Sequence, residues 1–277
     1  NTMAYDMQNT LLYVEDLSVA YGDKTIIKDI NLTEKDVVRE GKVTGQVIAI
    51  VGRSGRGKST LFKALTGLVK PTTGKVLIAD TNTGTENDAK EVNEGDIGFV
   101  DQKYTLFRNK TVYQSLLFAL RKKNMPKEQK YEQIMTYLKD WGLENEKDKY
   151  PNELSGGQRQ RTAVIEQIFC SGHYMVLDEP FSGLDIGNIE DVKKAFNLIT
   201  SSHEFNTIIY STHDIELAVE LADSIYVIGY PTIEGKKMDY GTIVKHFDMK
   251  EMELAWKDFG LDHIEVVKQV KNSMLSS

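Results

Sequence analysis

Cysteine is nearly absent. Cys170 is the single one among 277 residues, so no intramolecular disulfide can form, and no Cys/His spacing suits zinc. A reducing compartment fits that composition. Proline is sparse, with 5 residues, while hydrophobic residues at 40% and charged residues at 27% are ordinary for a globular protein, which excludes disordered, collagenous and fibrous classes. There is no basic excess: 34 Lys+Arg stand against 41 Asp+Glu, a formal net charge of −7, so nothing draws the chain toward nucleic acid or anionic lipid at long range. Long apolar runs are missing too. The longest stretch without Asp, Glu, Lys or Arg runs from Gln167 to Leu177, far short of the roughly 20 apolar residues of a membrane helix. The first residues show no basic region followed by an apolar one, so no secretory signal is expected. The length suits one large domain or two small ones.

What is present is periodicity. Apolar and polar residues alternate at Leu11, Tyr13 and Leu17 and again from Ile26 to Leu32, with a turn at Gly22-Asp23, which predicts antiparallel strands. Thr33 to Gly45 is charged and reads as turn. It leads into Gln46-Val47-Ile48-Ala49-Ile50-Val51, a β-branched run of the kind buried in a parallel sheet. From Lys58 onward Leu61, Phe62, Leu65 and Leu68 recur at helical spacing until Gly67 and Pro71 stop the helix. Between Thr81 and Gly95 the chain is almost purely polar and reads as an exposed hairpin loop, followed by a strand at Ile97 to Val100. Thr111 to about Ile168 turns helical, with one stripe at Val112, Leu116, Leu117 and Leu120 and another at Ile134, Tyr137, Leu138 and Trp141. Strand-like runs at Tyr174 to Leu177, Thr207 to Tyr210 and Ile225 to Ile228 then alternate with helical stretches, the order that builds a parallel sheet.

The chemistry sits between these elements. Gly52-Arg53-Ser54-Gly55-Arg56-Gly57-Lys58-Ser59 fits G-x-x-x-x-G-K-[ST] and lies between a buried strand and a helix. Glycines let backbone N–H groups close around phosphate oxygens, the helix start adds its positive dipole end, Lys58 reaches the terminal phosphates and Ser59 can ligate Mg²⁺. Tyr174-Met175-Val176-Leu177-Asp178-Glu179 is an apolar strand ending in two carboxylates. Asp178 there can hold Mg²⁺, and Glu179 can polarise a water for attack on a phosphoryl group. Two acids after a strand can equally cap the next helix, so they gain meaning from the glycine loop. Leu154-Ser155-Gly156-Gly157-Gln158 is a second glycine-rich helix start with a hydroxyl and bare amides suited to an anion. One triphosphate does not need two such cradles from one chain, which suggests that the second serves a nucleotide held by another copy.

Taken with Ser182-Gly183-Leu184-Asp185 and His213, these segments resemble the ATP-binding cassette (ABC) ATPases over about Leu11 to Tyr240, and the Leu154 to Gln158 pentapeptide is the signature separating that family from other P-loop proteins. The resemblance implies an α/β fold of the P-loop NTPase kind: a RecA-like mixed sheet, an antiparallel β subdomain and an inserted α-helical subdomain. It implies a single cassette over 1–277, with an ATP-binding core at 1–102 and 166–250, a helical subdomain at 103–165 and a tail at 251–277. It assigns Tyr21 to stacking on adenine, Gly52 through Thr60 to the phosphates, and Gln102 to sensing Mg²⁺ and contacting the membrane partner. Glu179 and His213 become the catalytic pair, with His213 on the γ-phosphate. Leu154, Ser155, Gly156, Gly157 and Gln158 close on ATP held by a second copy or a homologous ATPase subunit, and Asp185 couples the two sites. Ser59, Gln102 and Asp178 form the Mg²⁺ set.

The implied activity is Mg²⁺-dependent ATP hydrolysis energising a transmembrane permease, with the chain cytoplasmic and peripheral on the inner face of the cell membrane and no nucleic acid as partner. The segment between Gln102 and Ser155 is the expected docking surface, with Tyr104 to Thr111 as its inner lip. The run Ser211 to Ala218 with Leu221-Ala222-Asp223 resembles bacterial importer subunits for small solutes. An exporter subunit, or a soluble ABC ATPase in a cofactor-assembly or clamp complex, remains an alternative, as does a module that holds ATP without hydrolysing it. Ile186-Gly187-Asn188 follows Asp185 where many members have proline. The tail from Met249 carries no family role, and its spacing at Met252, Ala255, Trp256 and Phe259 predicts a helix packed on the core. His173, His203, His246 and His263 read as structural.

Overall fold

The computed structural model describes residues 6–79 and 89–277. Its first element pair is the expected antiparallel one: β1 (Asp6–Tyr21) and β2 (Lys24–Val38) are joined across Gly22, whose φ of +59° suits a residue without Cβ. β2 alternates buried and exposed residues along Ile30 to Asp36, so the turn expected from Thr33 is instead a strand as far as Val38. The reason is that Glu34 and Asp36, polar in sequence, point inward and are 3% and 2% exposed, so the segment has strand periodicity without apolar residues to reveal it.

β3 (Gln46–Val51) follows, buried along its whole length, and then α1 (Lys58–Leu65), which ends before Leu68, leaving that residue on the surface. β4 (Thr73–Ala79) pairs with the free edge of β1, and β5 (Ala89–Glu91) pairs with β4, giving a four-stranded antiparallel sheet in the order β2-β1-β4-β5. The polar hairpin loop expected from Thr81 to Gly95 therefore ends in a short strand, and its residues 81–88 lie outside the described ones.

β6 (Ile97–Val100) opens the second half, and α2 (Val112–Ala119), α3 (Lys127–Asp140) and α4 (Gly156–Cys170) form the helical segment. Thr111 and Ser155 each start a helix through a reciprocal bond with the glutamine three residues on. β7 (Tyr174–Leu177), α5 (Ile186–Ser202), β8 (Thr207–Ser211), α6 (Ile215–Leu221) and β9 (Ser224–Gly229) come next. A small hairpin of β10 (Thr232–Ile233) and β11 (Lys236–Lys237), then β12 (Thr242–Asp248) and α7 (Leu261–Ser276), complete the chain. The main sheet has the order β12-β9-β3-β8-β7-β6; all its pairings are parallel except that of β12 with β9.

Two cores meet on this sheet because β3 alternates its faces. Ile48 and Ile50 pack with Leu61, Phe62 and Leu65 of α1 beneath the antiparallel sheet, whereas Val47, Ala49 and Val51 join the helical side with Val164, Phe169 and Phe196. The tail differs from its expected form. Glu253 and Trp256 take φ of +57° and +63°, which breaks any helix through Met252 and Phe259, and those two apolar residues lie exposed. The helix is α7, and it packs through Val266, Val267 and Val270.

Candidate active site

β3 ends at Val51, and the chain turns through the glycine loop into α1. Gly57 is held at φ +98°, and a Cβ there would lie 2.4 Å from Ile27 Cγ2, so both the backbone angle and the close packing require glycine. As N-cap it offers no side-chain oxygen, which leaves the first N–H groups of α1 free for an anion. Lys58 Nζ spans the loop, donating to the carbonyl oxygens of Gly52 and, at 3.3 Å, Arg53. Burial pulls its pKa down, while Glu179 and Asp178 push it back up.

A cleft of about 340 Å³ gathers Ser54, Gly55, Gly57, Lys58, Ser59 and Thr60 with Gln102, Asp178, Glu179 and His213. Sequence neighbours do not explain that gathering. Parallel pairing does, because β7 and β8 lie side by side and release Asp178, Glu179 and His213 at one end of the sheet, next to the end of β3. Glu179 is 8% exposed and adopts φ +49°, a strained angle for a residue with a side chain and one that clusters at functional sites. Its backbone N–H donates to Ser211 Oγ at 2.9 Å, and the same hydroxyl donates to Asp178 Oδ1 at 2.7 Å. Glu179 Oε1 lies 3.0 Å from Nε2 of the exposed His213. Burial raises the Glu179 pKa; His213 and Lys58 oppose that rise, and Asp178 adds to it.

The donors fit a hard divalent cation. Ser59 supplies a hydroxyl, Asp178 a carboxylate and Gln102 an amide oxygen, all facing one cleft, and the buried carboxylate of Glu179 lies beside them. Gln102 Nε2 donates to Ser182 Oγ at 3.4 Å.

The other expected site residues lie elsewhere. Tyr21 sits exposed at the end of β1 and does not line the cleft. Gly52 and Arg53 contribute backbone carbonyls to Lys58. Arg56 turns its guanidinium over the Tyr230 ring at 4.1 Å and donates to the Ser277 carbonyl at 3.3 Å, facing away from the cleft. Leu154, Ser155, Gly156, Gly157 and Gln158 form the start of α4: Leu154 is buried, Ser155 Oγ accepts from Gln158 N at 3.1 Å, Tyr104 donates to the Gly156 carbonyl at 2.9 Å, and Gly157 packs against Asn188. Asp185 caps α5, accepting from Asn188 N at 2.8 Å. None of these six residues lines the cleft.

Three contributors escaped the sequence reading. Ile26 forms part of the cleft wall, Ser211 ties Asp178 to Glu179, and Tyr230 donates to the Gly55 carbonyl at 2.8 Å, bracing the glycine loop from outside. Ser211 carried a weak signal as the last residue of its strand; Ile26 and Tyr230 carried none, since each reaches the loop from a distant segment.

Residues 42–182 match the family model described as ABC transporter. The sulfate/thiosulfate import ATP-binding protein CysA of Synechocystis is 34% identical over 80% of this chain and 59% of that protein, so the chain spans about six tenths of its length. The arginine transport ATP-binding protein ArtM of Bacillus subtilis is 32% identical over 89% of this chain and 95% of its own. The cbiO1 protein of Clostridium perfringens, part of the ABC transporter complex cbiONQ, superposes with a TM-score of 0.71 and 26% identity over 97% of this chain and 99% of that one. The glycine loop, the paired carboxylates and these likenesses together establish that this chain is an ATP-binding member of the ABC transporter family.

Proposed function

We propose that the chain binds ATP with Mg²⁺, hydrolyses it, and thereby energises an ABC transporter that imports a small solute into a bacterial cell. The observation that carries this reading is Glu179, buried and strained at φ +49° beside the Lys58 loop, with a carboxylate oxygen 3.0 Å from His213 Nε2. Such an oxygen is suited to accept a proton from a water attacking the terminal phosphoryl group. Ionisation of Glu179 is needed for that role; Lys58 and His213 oppose the rise that burial causes without cancelling it. His213 also contacts the γ-phosphate, Lys58 and the amides of Gly52 through Thr60 hold the phosphates, and Tyr21 stacks on the adenine. Ser59, Gln102 and Asp178 hold Mg²⁺, which when bound neutralises charge on the phosphate oxygens.

The chain forms one cassette over 1–277, with core 1–102 and 166–250, helical subdomain 103–165 and tail 251–277. Leu154 through Gln158 serve ATP held by a second copy or a homologous subunit, and Asp185 couples the two sites. Their position away from the cleft of their own chain supports this, as does the exposure of Ser155 and Gly156. A permease docks between Gln102 and Ser155, holding the chain at the inner face of the membrane; no helix among the described residues is long and apolar enough to cross one. The importer direction rests on relatives named for sulfate/thiosulfate import and arginine transport.

The test is Glu179→Gln. Hydrolysis should fall by about 10²-fold or more while MgATP binding, read by a fluorescent analogue, is retained; near-normal hydrolysis overturns the assignment. Lys58→Ala should instead weaken binding itself.

A further inference from the structure

A second cavity, of about 280 Å³, lies at the opposite end of β7 from Asp178 and Glu179. It opens between the end of α3, the end of α4, the start of β7 and the last turns of α5. Its volume is close to the lower end of the roughly 300–1,000 Å³ typical of small-molecule sites. The walls are aromatic, with Tyr137, Trp141, His173 and Tyr174 facing it. Tyr137 and Trp141 stand with ring centroids 6.4 Å apart, Trp141 is 6% exposed, and Ile199 and Met175 add buried aliphatic surface.

Among the described residues, one formal charge faces this space. Asp140, the last residue of α3, lines the cavity, and its carboxylate forms no ion pair or hydrogen bond with another described residue. No Lys or Arg among the described residues shares the lining with it. A carboxylate beside aromatic faces has one natural complement. A cationic ammonium gains a charge-assisted hydrogen bond from the acid and attraction to the negative faces of the rings, and its hydrocarbon part gains from leaving water. An anion meets repulsion there, and a neutral isostere forgoes both electrostatic gains.

We propose that this cavity binds a hydrophobic organic amine, its ammonium at Asp140 and its ring or chain against Trp141 and Ile199. The walls come from the helical segment on one side and from β7 and α5 on the other, so the ligand joins the two parts of the chain. It also sits at the start of the strand that delivers Asp178 and Glu179. It shares no residue with the phosphate cleft, so the two ligands do not compete for one space.

Tryptamine is the probe, with indole-3-ethanol as its neutral counterpart, each titrated into the full chain by calorimetry with and without a saturating non-hydrolysable ATP analogue. Saturable tryptamine binding is expected, tighter than that of indole-3-ethanol by about tenfold, not displaced by the nucleotide, and reduced to parity with the neutral compound in Asp140→Asn. Asp140 is exposed, so the asparagine variant should keep its melting temperature, and Trp141→Phe supplies a second variant in which both compounds weaken. Failure of tryptamine to saturate, equal binding of the two compounds, an undiminished preference in Asp140→Asn, or displacement by the ATP analogue overturns the proposal.

Discussion

Replacing Lys250 by methionine should destabilise the chain severely, and more so at high pH than at low. Lys250 follows β12 and is 3% exposed. Its Nζ lies 3.6 Å from Glu34 Oε2 and 3.4 Å from Asp248 Oδ1, and it donates to Ser224 Oγ at 3.2 Å and to the Asp223 carbonyl at 3.5 Å. Burial pulls the lysine pKa down, but Glu34, Asp248 and Asp223 together push it up further, so the net shift is upward. Tyr226 donates to Glu34 Oε1 at 2.7 Å, and Asp223 Oδ2 accepts from Val47 N at 2.8 Å, so one buried cation holds acids from β2, the start of β9 and the end of β12. Removing one partner of a buried ion pair costs about 3–5 kcal/mol, because the remaining charge is stranded.

The pH dependence follows from Asp223, whose pKa burial pushes up to about 7 from the ordinary 3.8. Between those values the folded chain binds the proton that the unfolded chain releases, so this group's contribution to stability falls as pH rises through the window. Losing the Lys250 cation extends that window upward, so more of this contribution is lost at pH 8. Urea unfolding of Lys250→Met at pH 8 should show the full loss, with a melting temperature lower by on the order of 10 °C, and at pH 5 the loss should shrink because Asp223 is then protonated. A loss below about 1 kcal/mol at pH 8, or an equal loss at both pH values, refutes the reasoning.

Two further outcomes concern the phosphate cleft. Ser211→Ala removes the hydroxyl that joins the Glu179 N–H to Asp178 Oδ1; ATP turnover should drop by about tenfold or more with nucleotide affinity changed far less, since a buried N–H left without a partner costs about 1–3 kcal/mol at the residue that must hold its strained angle. Steady-state kinetics with a separate binding titration read that split. Tyr230→Phe deletes the bond to the Gly55 carbonyl while keeping the ring under Arg56, so KM for ATP should rise up to about tenfold with kcat little changed; an unchanged KM shows that the loop holds its shape without this brace.

The sequence by itself determined the local pieces. The apolar runs of β3, β7, β8 and β9 were legible because a parallel strand buried on both faces needs continuous hydrophobicity, and the glycine loop, the paired carboxylates and the serine start of α4 were legible because each is a contiguous set of residues with one chemical use. Where polarity and periodicity disagreed, the sequence misled: Glu34 and Asp36 masked the end of β2, and the Met252 to Phe259 spacing imitated a helix that Glu253 and Trp256 interrupt. Only the tertiary structure decided what depends on contacts between distant segments. It turned Arg56 from the cleft to Tyr230 and brought Ser211 between Asp178 and Glu179. It also set Lys250 against Glu34 and left Asp140 unpaired beside Trp141. Sheet order fixes those meetings, and the sheet order arises from the cooperative burial of every strand at once, a quantity no local stretch of sequence contains.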